Sequence, residues 1–278
     1  MSNPLFCGTD LAARIEAAEA ELIVAATEAA RGRGARGLVI PIAGGFACAA
    51  EDGSPMNKVV GLGFGGVPQP DVLAEVEHTL AGIGAPVQVE LSTLADPDVG
   101  AMLTGRGYRL VGFENVLGHP LPGDTDPVPP RGIDVRPGGA GEIDAWVDAL
   151  VEGFSQPDDV GVPTHEEFPR DVVARAERDF ERAGVTPYLA TCDGAIAGGG
   201  SMRLTRGIAQ LTGAATVPAF RRRGVQAALL ATRLRDAADR CDLAVVTTAP
   251  GSTSHKNVQR HGFHLLYTRA VLVKDTGG

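Results

Sequence analysis

The sequence lacks the features of several common protein classes. It has only 4 cysteines in 278 residues, Cys7, Cys48, Cys192 and Cys241. Their wide spacing favours buried thiols over a disulfide framework or a zinc site. The 6 histidines show no HExxH or other ligand spacing, so we expect no bound metal. No uncharged apolar run is long enough to cross a bilayer, which argues against a membrane protein.

The chain also lacks a recognisable targeting segment and, in its cationic turn at residues 218–226, the usual nucleotide motifs. Residues 11–30 predict an amphipathic helix packed on a sheet, and Glu16, Glu19, Glu21 and Glu28 within it exclude a transit peptide. We therefore expect a soluble, cytoplasmic protein. The cationic turn contains no GxGxxG, a spacing found only in the glycine runs 32–37 and 61–66, and no GxxxxGK[ST] occurs. This argues against the common nicotinamide, flavin and nucleoside triphosphate sites at that turn. A net charge of −9 without a basic face argues against nucleic acid as a partner.

The most informative stretch is the cationic turn at residues 218–226. An apolar segment, 208–216, predicts a strand before it, and apolar residues at helical spacing predict a helix over 225–239 after it. The helical pattern puts Arg233 with Gln226 on the face opposite the apolar one. A second apolar strand, 243–248, completes a strand, turn, helix and strand unit.

Arg221, Arg222 and Arg223 stand directly before Gly224 at the start of this predicted helix. Positive side chains there oppose the helix dipole, which is locally unfavourable for a merely solvated charge run. A bound anion removes that objection, because helix N-terminal N–H groups and neighbouring arginines bind pyrophosphate well. The turn therefore predicts a phosphate site.

At these residues the chain resembles the GNAT N-acetyltransferase superfamily. The acetyl-CoA turn of that family, [RQ]xxGx[GA], is matched by Arg221 and Gly224, whereas Gln226 stands where the family has Gly or Ala. The family uses this last position for its backbone N–H, so a glutamine fits if its side chain points away. Residues 193–200 are similar to the hairpin of the family's second and third strands, and 257–263 to the end of its last helix.

The resemblance covers residues 131–275 in the family's order. It includes an opening strand at 133–137 and helices near 142–154 and 170–183. The fold class that it implies is α/β, with a mixed central sheet flanked by helices.

A repeat extends this fold to the rest of the chain. Residues 106–111 align with 261–266 at an offset of 155, the separation of Gly107 and Gly262, and 89–93 align without gaps with 244–248. A stretch rich in proline, glycine and aspartate at 120–130 predicts a linker. We therefore predict two tandem GNAT-like domains, residues 1–126 and 127–278.

The first repeat is predicted to be a degenerate copy. Residues 66–71 align with the cationic turn but contain two prolines and no arginine. Residues 1–126 carry 7 Lys and Arg against 16 Asp and Glu, whereas 127–278 carry 18 against 18. The acidic half would repel a polyanion such as CoA, so we interpret the glycines of 61–66 as packing residues in preference to a second nucleotide site.

The resemblance implies that acetyl-CoA binds as a co-substrate where the fourth strand of the second repeat leaves the fifth. A backbone N–H of Val217 or its neighbour would polarise the thioester carbonyl. The residues implied for cofactor binding are Ala215, Thr216, Val217, Arg221, Arg222, Arg223, Gly224, Val225, Gln226, Ala227 and Asn257.

The usual catalytic residues of the family are missing. Thr212 stands where a glutamate base is common, and Val258 where a tyrosine acid is common. Glu166, in an acidic loop with Asp158, Asp159, His165 and Glu167, is a candidate base, although loops are acidic for solubility alone. Ser254 and Tyr267 are candidate acids, and Tyr267 is equally consistent with a packed strand residue. Proximity and carbonyl polarisation with solvent as proton carrier are the alternative.

The sequence thus predicts an acyl-CoA-dependent N-acyltransferase, most simply an acetyltransferase, acting on a small-molecule amine. Two alternatives stay open: a non-catalytic, regulatory acyl-CoA-binding protein, and another thioester chemistry such as hydrolysis. The acidic first half favours a cationic acceptor. Oligomeric state is not determined by the sequence, and a homodimer is one option.

Overall fold

The described residues form two compact units. The computed structural model describes residues 5–121, 130, 132–156, 160–162 and 168–275. Residues 7–115, 168–183 and 267–275 make up the N-terminal unit. Residues 5–6, 116–121, 130, 132–156, 160–162 and 184–266 make up the C-terminal unit.

The N-terminal unit is a mixed sheet with helices. Its helices are α1 (Thr9–Gly32), α2 (Pro70–Ala81), α3 (Pro97–Gly105) and α5 (Arg170–Arg182). Its strands are β1 (Leu38–Ile42), β2 (Gly45–Ala49), β3 (Lys58–Val60), β4 (Val87–Ser92), β5 (Arg109–Pro120) as far as residue 115, and β12 (His264–Lys274) from residue 267. They are ordered β1-β2-β3-β4-β12-β5, with β3 and β4 parallel.

The C-terminal unit has the same construction. Its helices are α4 (Ile143–Phe154), α6 (Val225–Ala237) and α7 (Thr253–Arg260). Its strands are the end of β5, β6 (Ile133–Pro137), β7 (Thr186–Cys192), β8 (Ala195–Thr205), β9 (Ile208–Gln210), β10 (Ala214–Thr216), β11 (Leu243–Thr248) and the start of β12. The order is β5-β11-β9-β8-β7-β6, and β10 pairs with β8.

Strands β5 and β12 each contribute residues to both units. Residues 269–274 of β12 pair antiparallel with β4 in the N-terminal unit. The end of β5 lies beside β11 in the C-terminal unit, where the N–H of Leu121 donates to the carbonyl of Asp242 at 2.8 Å. The predicted division at residues 126 and 127 assigns α5 and all of β12 to the second half, whereas the compact units include α5 and residues 267–275 in the N-terminal one. Most of the predicted linker lies outside the described residues.

The repeat predicted from the sequence is present in the structure. An offset of 155 residues carries α2 onto α6, β4 onto β11, α3 onto α7 and β5 onto β12, each within one residue at its start. Both copies therefore use the same sequence of elements for their second half. The unit cores are separate apolar clusters, and α5 packs on α1 through Ala176 and Phe180.

Two predictions about composition can be compared with the described residues. Cys48, Cys192 and Cys241 are buried, Cys7 is half-buried, and none of the four forms a disulfide in the described chain, which confirms the core interpretation for three of them. No described helix combines the length and apolar character that a membrane span requires.

Candidate acyl-CoA site

A break in the strand before the turn opens the candidate site. The sequence predicts one strand over 208–216, but the structure has β9 and β10 separated by residues 211–213. β9 pairs in parallel with β11, and the last contact is the N–H of Leu211 donating to the carbonyl of Val245 at 2.8 Å. β10 then pairs only with β8 among the described strands. We call the opening between β10 and residues 246–248 of β11 the notch.

One edge of β10 faces the notch. Ala214 to Thr216 pair antiparallel with Gly200 to Gly198, and the N–H of Val217 donates to the carbonyl of Ala197 at 3.0 Å. Because peptide groups alternate in direction along an antiparallel strand, those of Ala214 and Thr216 point away from β8. The expectation that Val217 donates to a ligand is therefore not supported by the geometry, whereas the N–H of its neighbour Thr216 points away from β8.

The turn after β10 presents the start of a helix. Residues 218–220 form a short 3-10 helix, and Gly224 is the N-cap of α6 at φ +93°. A Cβ at Gly224 would be strained at that φ and would lie 3.0 Å from Cγ of Pro130. The first bond within α6 runs from the N–H of Ala228 to the carbonyl of Gly224. The preceding N–H groups, those of Val225 to Ala227, have no partner within the helix and are available to an anion.

The three arginines of the turn differ in their contacts. Arg221 donates from Nη2 to the backbone carbonyls of Gly153 and Gln156. Arg223 forms a 2.8 Å ion pair with Asp193, which lowers the pKa of that carboxyl, and lies over the ring of Phe220. Both partners of this pair are exposed, so a stronger anion can replace Asp193 at low cost.

Arg222 is the remaining cation of the turn. Its backbone is in the left-handed region at φ +62°, and its side chain is exposed. Within the part of the chain that the structure describes, its guanidinium has no side-chain partner. It is therefore free to contact a bound phosphate.

The family pattern tolerates a glutamine at 226 if its side chain points away from the turn, and in the structure it points towards β10 instead. Nε2 of Gln226 donates to Oγ1 of Thr216 at 3.2 Å, so the side chain points back to the end of β10. This contact ties the first turn of α6 to the edge of the notch. The departure from Gly or Ala thus adds a polar amide beside the strand end.

Of the candidate catalytic residues, the structure describes Ser254 and Tyr267. Glu166 lies outside the described residues, as do Asp158, Asp159, His165 and Glu167. Ser254 is exposed near the start of α7, and Asn257 is half-buried on the same helix. Tyr267 belongs to the N-terminal unit, where it is 4% exposed and its hydroxyl donates to Oε1 of Glu16 at 2.6 Å.

Burial and the adjacent carboxylate raise the pKa of Tyr267, so a proton on this oxygen is held more firmly than usual. We therefore assign Tyr267 to packing and not to acid catalysis, in line with the alternative that the sequence left open. Thr212 and Val258 also offer no base or acid. Oγ1 of Thr212 lies 2.7 Å from Oγ of Ser201, and Val258 is buried.

Close packing of glycines marks one side of the notch. Gly153 of α4 packs so closely on β10 that a Cβ there would lie 2.5 Å from Cβ of Ala215. Gly161 packs on Ser252 near the carboxyl end of β11 in the same way. Exposed apolar side chains next to these two contacts are Phe154, Val160 and Val162. Glu152, Ser155 and Gln156 on the same stretch are exposed as well, so the described surface beside the notch is mixed, with an apolar part.

The aligned stretch of the N-terminal unit is packed instead of open. A Cβ at Gly63 would lie 2.5 Å from Cβ of Ala95, and its carbonyl accepts from the N–H of Asp96 at 3.0 Å. A Cβ at Gly65 would lie 2.6 Å from the carbonyl oxygen of Ala43. Pro70 occupies the first turn of α2, where it removes an N–H donor. These contacts support the packing interpretation of the glycine-rich run.

Sequence reasoning missed one residue beside the notch. Arg233 was predicted on the polar face of α6, yet it is 3% exposed and its guanidinium contacts the strand break. The sequence feature that could have indicated this contact is Gly200, because a glycine inside a strand often marks the close approach of another group, here the side chain of Arg233.

Comparisons with known proteins agree with this architecture. No protein-family model and no curated protein matches the chain. Among solved structures, a GCN5-related N-acetyltransferase from Kribbella flavida is similar at a TM-score of 0.62 and 18% identity, covering 93% of this chain and 96% of its own. A GCN5-related N-acetyltransferase from Sphaerobacter thermophilus is similar at 0.58 and 19%, covering 95% and 94%.

A tandem protein is similar as well. The tandem GNAT protein from the clavulanic acid biosynthesis pathway has a TM-score of 0.60 and 15% identity, covering 84% of this chain and 79% of its own. The structural similarity establishes the fold, whereas sequence identities this low leave the activity open. The chain therefore has the fold of the GNAT N-acetyltransferases, in a tandem arrangement along the sequence.

Proposed function

We propose that this chain is an acyl-CoA-dependent N-acyltransferase that transfers acetyl from acetyl-CoA to a small-molecule amine. The observation that carries the proposal is the combination of an open strand edge, β10, with a helix N-terminus and an unpaired arginine directly after it. An extended amide chain suits the first, and a pyrophosphate suits the second.

The residues present fit acetyl-CoA in both parts. The peptide groups of Ala214 and Thr216 would bind the pantetheine amides, and Thr216 would donate its N–H to the carbonyl to be attacked. The N–H groups at the start of α6, with Arg222 and a released Arg223, would bind the phosphates, and Asn257 would bind the pantetheine or adenosine arm. When bound, the thioester supplies the activated acetyl group.

The chain contributes binding and orientation more clearly than proton transfer. Because neither Thr212 nor Val258 can move a proton to or from the site, we propose that solvent carries both protons. As the amine nitrogen bonds to the acetyl carbon and the C–S bond breaks, solvent takes the proton of the amine and returns one to the departing CoA thiolate. Holding amine and thioester together supplies several kcal/mol of the barrier reduction by itself. We propose an acceptor with an apolar portion, since Phe154, Val160 and Val162 are exposed apolar side chains on that side, beside exposed polar ones.

A second candidate function is a non-catalytic acyl-CoA-binding protein. The observation that favours it is the hydroxyl pair of Thr212 and Ser201, which occupies the usual position of a base. The same binding site serves both functions, so only turnover separates them.

Calorimetric titration with acetyl-CoA tests the proposal. The native chain should bind, and both a double variant, Arg222→Glu with Arg223→Glu, and Gly224→Pro should weaken binding by about 10- to 100-fold or more. The double variant removes charge-assisted bonds, and proline cannot adopt the φ of +93° through which Gly224 presents the N–H groups of α6. Arg235→Glu, an exposed site on the same helix, is the matched control and should leave binding nearly unchanged.

Absence of binding to the native chain would overturn the proposal. If binding is found, release of the CoA thiol in the presence of candidate amines separates the two functions. Thiol release only with an amine supports transfer, release without one supports hydrolysis, and no release with any amine supports the binding protein.

A further inference from the structure

Arg233 is buried in the C-terminal unit without an acidic partner. It lies on α6 and is 3% exposed. No carboxylate among the described residues lies within ion-pair distance of its guanidinium. Burial lowers its pKa to about 10, so the side chain is still charged at neutral pH.

Backbone carbonyls take the place of a carboxylate. Nε donates to the carbonyl of Leu229 at 3.1 Å, and Nη1 donates to the carbonyls of Ser201 at 2.9 Å and Thr212 at 3.3 Å. Three neutral acceptors offset the desolvation of a cation less completely than a carboxylate does. Burying Arg233 here therefore costs more free energy than burying an apolar side chain of similar size, which points to a role other than core packing.

The contacts of Nη1 join two particular points. Ser201 lies on β8, and Thr212 lies in the break between β9 and β10, so one nitrogen atom links the central strand to the break. The side chain of Arg233 on α6 thus fixes the point at which the chain separates from β11, between β9 and β10. The break is also the point from which the open edge of β10 begins.

The glycines of β8 make this approach possible from both faces. A Cβ at Gly200 would lie 3.2 Å from Cζ of Arg233, and a Cβ at Gly199 would lie 2.9 Å from Cδ1 of Trp146. Nε1 of Trp146 donates to the carbonyl of Gly200 at 3.0 Å. Gly200 pairs with Ala214, the first residue of β10, so both large side chains close on the start of the notch.

We propose that Arg233 is a positioning residue that sets the width of the notch and so the affinity for the pantetheine arm of the acyl donor. This inference rests on the proposed function, since it concerns the same site. Arg233 acts through the carbonyl of Thr212 and does not touch the ligand. Its loss should therefore affect the part of the donor that binds along β10 and spare the part that binds at the turn.

Calorimetry with two probes tests this separation. The probes are acetyl-CoA and adenosine 3′-phosphate 5′-diphosphate, which is the nucleotide part of CoA and binds only the turn. Arg233→Met should weaken acetyl-CoA binding about 10-fold or more and change nucleotide binding less than 2-fold. Arg233→Lys, which keeps the charge and one donor centre, should fall between Met and the native chain.

Two further variants keep the result interpretable. Arg235→Met removes an exposed arginine from the same helix and should change neither affinity. Gly200→Ala leaves Arg233 in place but crowds its guanidinium, and it should weaken acetyl-CoA binding in the same direction by a smaller factor. Circular dichroism of each variant establishes that it is folded.

The outcomes are distinct for the two proposals. If the native chain binds neither probe, the proposed function fails and this inference fails with it. If the native chain binds both and Arg233→Met binds both equally well, only the positioning role is overturned. Equal weakening of both probes by Arg233→Met would also overturn it, because a general loss of structure does not distinguish the strand edge from the turn.

Discussion

Residues 61–71 and 216–226 occupy the same place in the two repeats and use their glycines for opposite purposes. In the second stretch, Gly224 turns the chain so that N–H groups and Arg222 face outward. In the first, Gly63 and Gly65 bring backbone against backbone, and Pro70 removes a donor. A glycine-rich turn is therefore informative about ligands only together with the donors and cations that surround it.

Two buried arginines among the described residues, Arg269 and Arg233, extend this comparison. Arg269 of the N-terminal unit donates to Glu16 at 2.8 Å and lies within 4 Å of carboxylate oxygens of Glu90 and Glu114. Burial alone would lower the pKa of Arg269, but the negative charges of Glu16, Glu19 and Glu90 stabilise the guanidinium and raise it. Arg233 has only carbonyls. We interpret the first as a structural ion cluster and the second as a residue that serves a site.

The largest expected effect is the loss of the N-terminal ion cluster. Arg269→Met leaves Glu16 and Glu90 buried with their compensation reduced, which should lower the free energy of unfolding by about 3–5 kcal/mol. Urea unfolding measures this. Arg109→Met, which breaks an exposed pair with Asp275, is the control and should cost under about 1 kcal/mol. If Arg269→Met lowers the free energy of unfolding no more than Arg109→Met does, Arg269 is not a structural ion-cluster residue, and its distinction from Arg233 fails.

The next effect tests the packing role of the N-terminal glycines. Gly63→Ala and Gly66→Ala both place a Cβ at positive φ, +91° and +93°, but only Gly63 has a neighbour within 4 Å. Gly66→Ala should cost about 1 kcal/mol for backbone strain alone, and Gly63→Ala about 2–3 kcal/mol because Ala95 must also move. Thermal or urea unfolding of the pair gives the difference. Equal costs would contradict packing as the reason for glycine at 63.

The smallest effect is a pH dependence that distinguishes the N-terminal unit. Burial raises the pKa of Glu177 on α5 from 4.5 to about 7. A raised pKa means that the native state binds the proton more tightly than the unfolded one, so this contribution to stability is complete below pH 4.5 and is lost as the pH rises through 7. Between pH 6 and 8 the free energy of unfolding should fall by about 1–2 kcal/mol on this account.

Glu177→Gln should remove that part of the fall, and the exposed Glu75→Gln should leave it in place. Urea unfolding at pH 5, 6.5 and 8 measures the slope for the three proteins. An unchanged slope in Glu177→Gln would show that another group carries the pH dependence.

Local patterns in the sequence predicted local structure well. β11 was predicted over 243–248 and found there, and α4 and α5 begin or end within one residue of their predicted bounds. The repeat was also found at the predicted offset. Apolar periodicity is a property of neighbouring residues, so it specifies an element without knowledge of the rest of the fold.

The remaining features depend on partners distant in the sequence. The break at 211–213 forms where Arg233 and Ser201 meet the strand, and helical periodicity alone put Arg233 on the polar face. Tyr267 lies on a strand, as one interpretation held, but its partner is Glu16, 251 residues earlier. No spacing rule connects such residues. The acceptor loop with Glu166 is untested, so its role stays a prediction.

The division of β5 and β12 between the units has a consequence for synthesis. In the N-terminal unit β4 pairs with residues 269–274, which the ribosome makes about 180 residues after β4 itself. During synthesis the edge of β4 that pairs with β12 therefore stays unpaired until nearly the whole described chain has been made. Pairing over such a separation is slow and exposes strand edges meanwhile. A fragment ending at residue 126 should thus be a poor mimic of the N-terminal repeat and prone to aggregate.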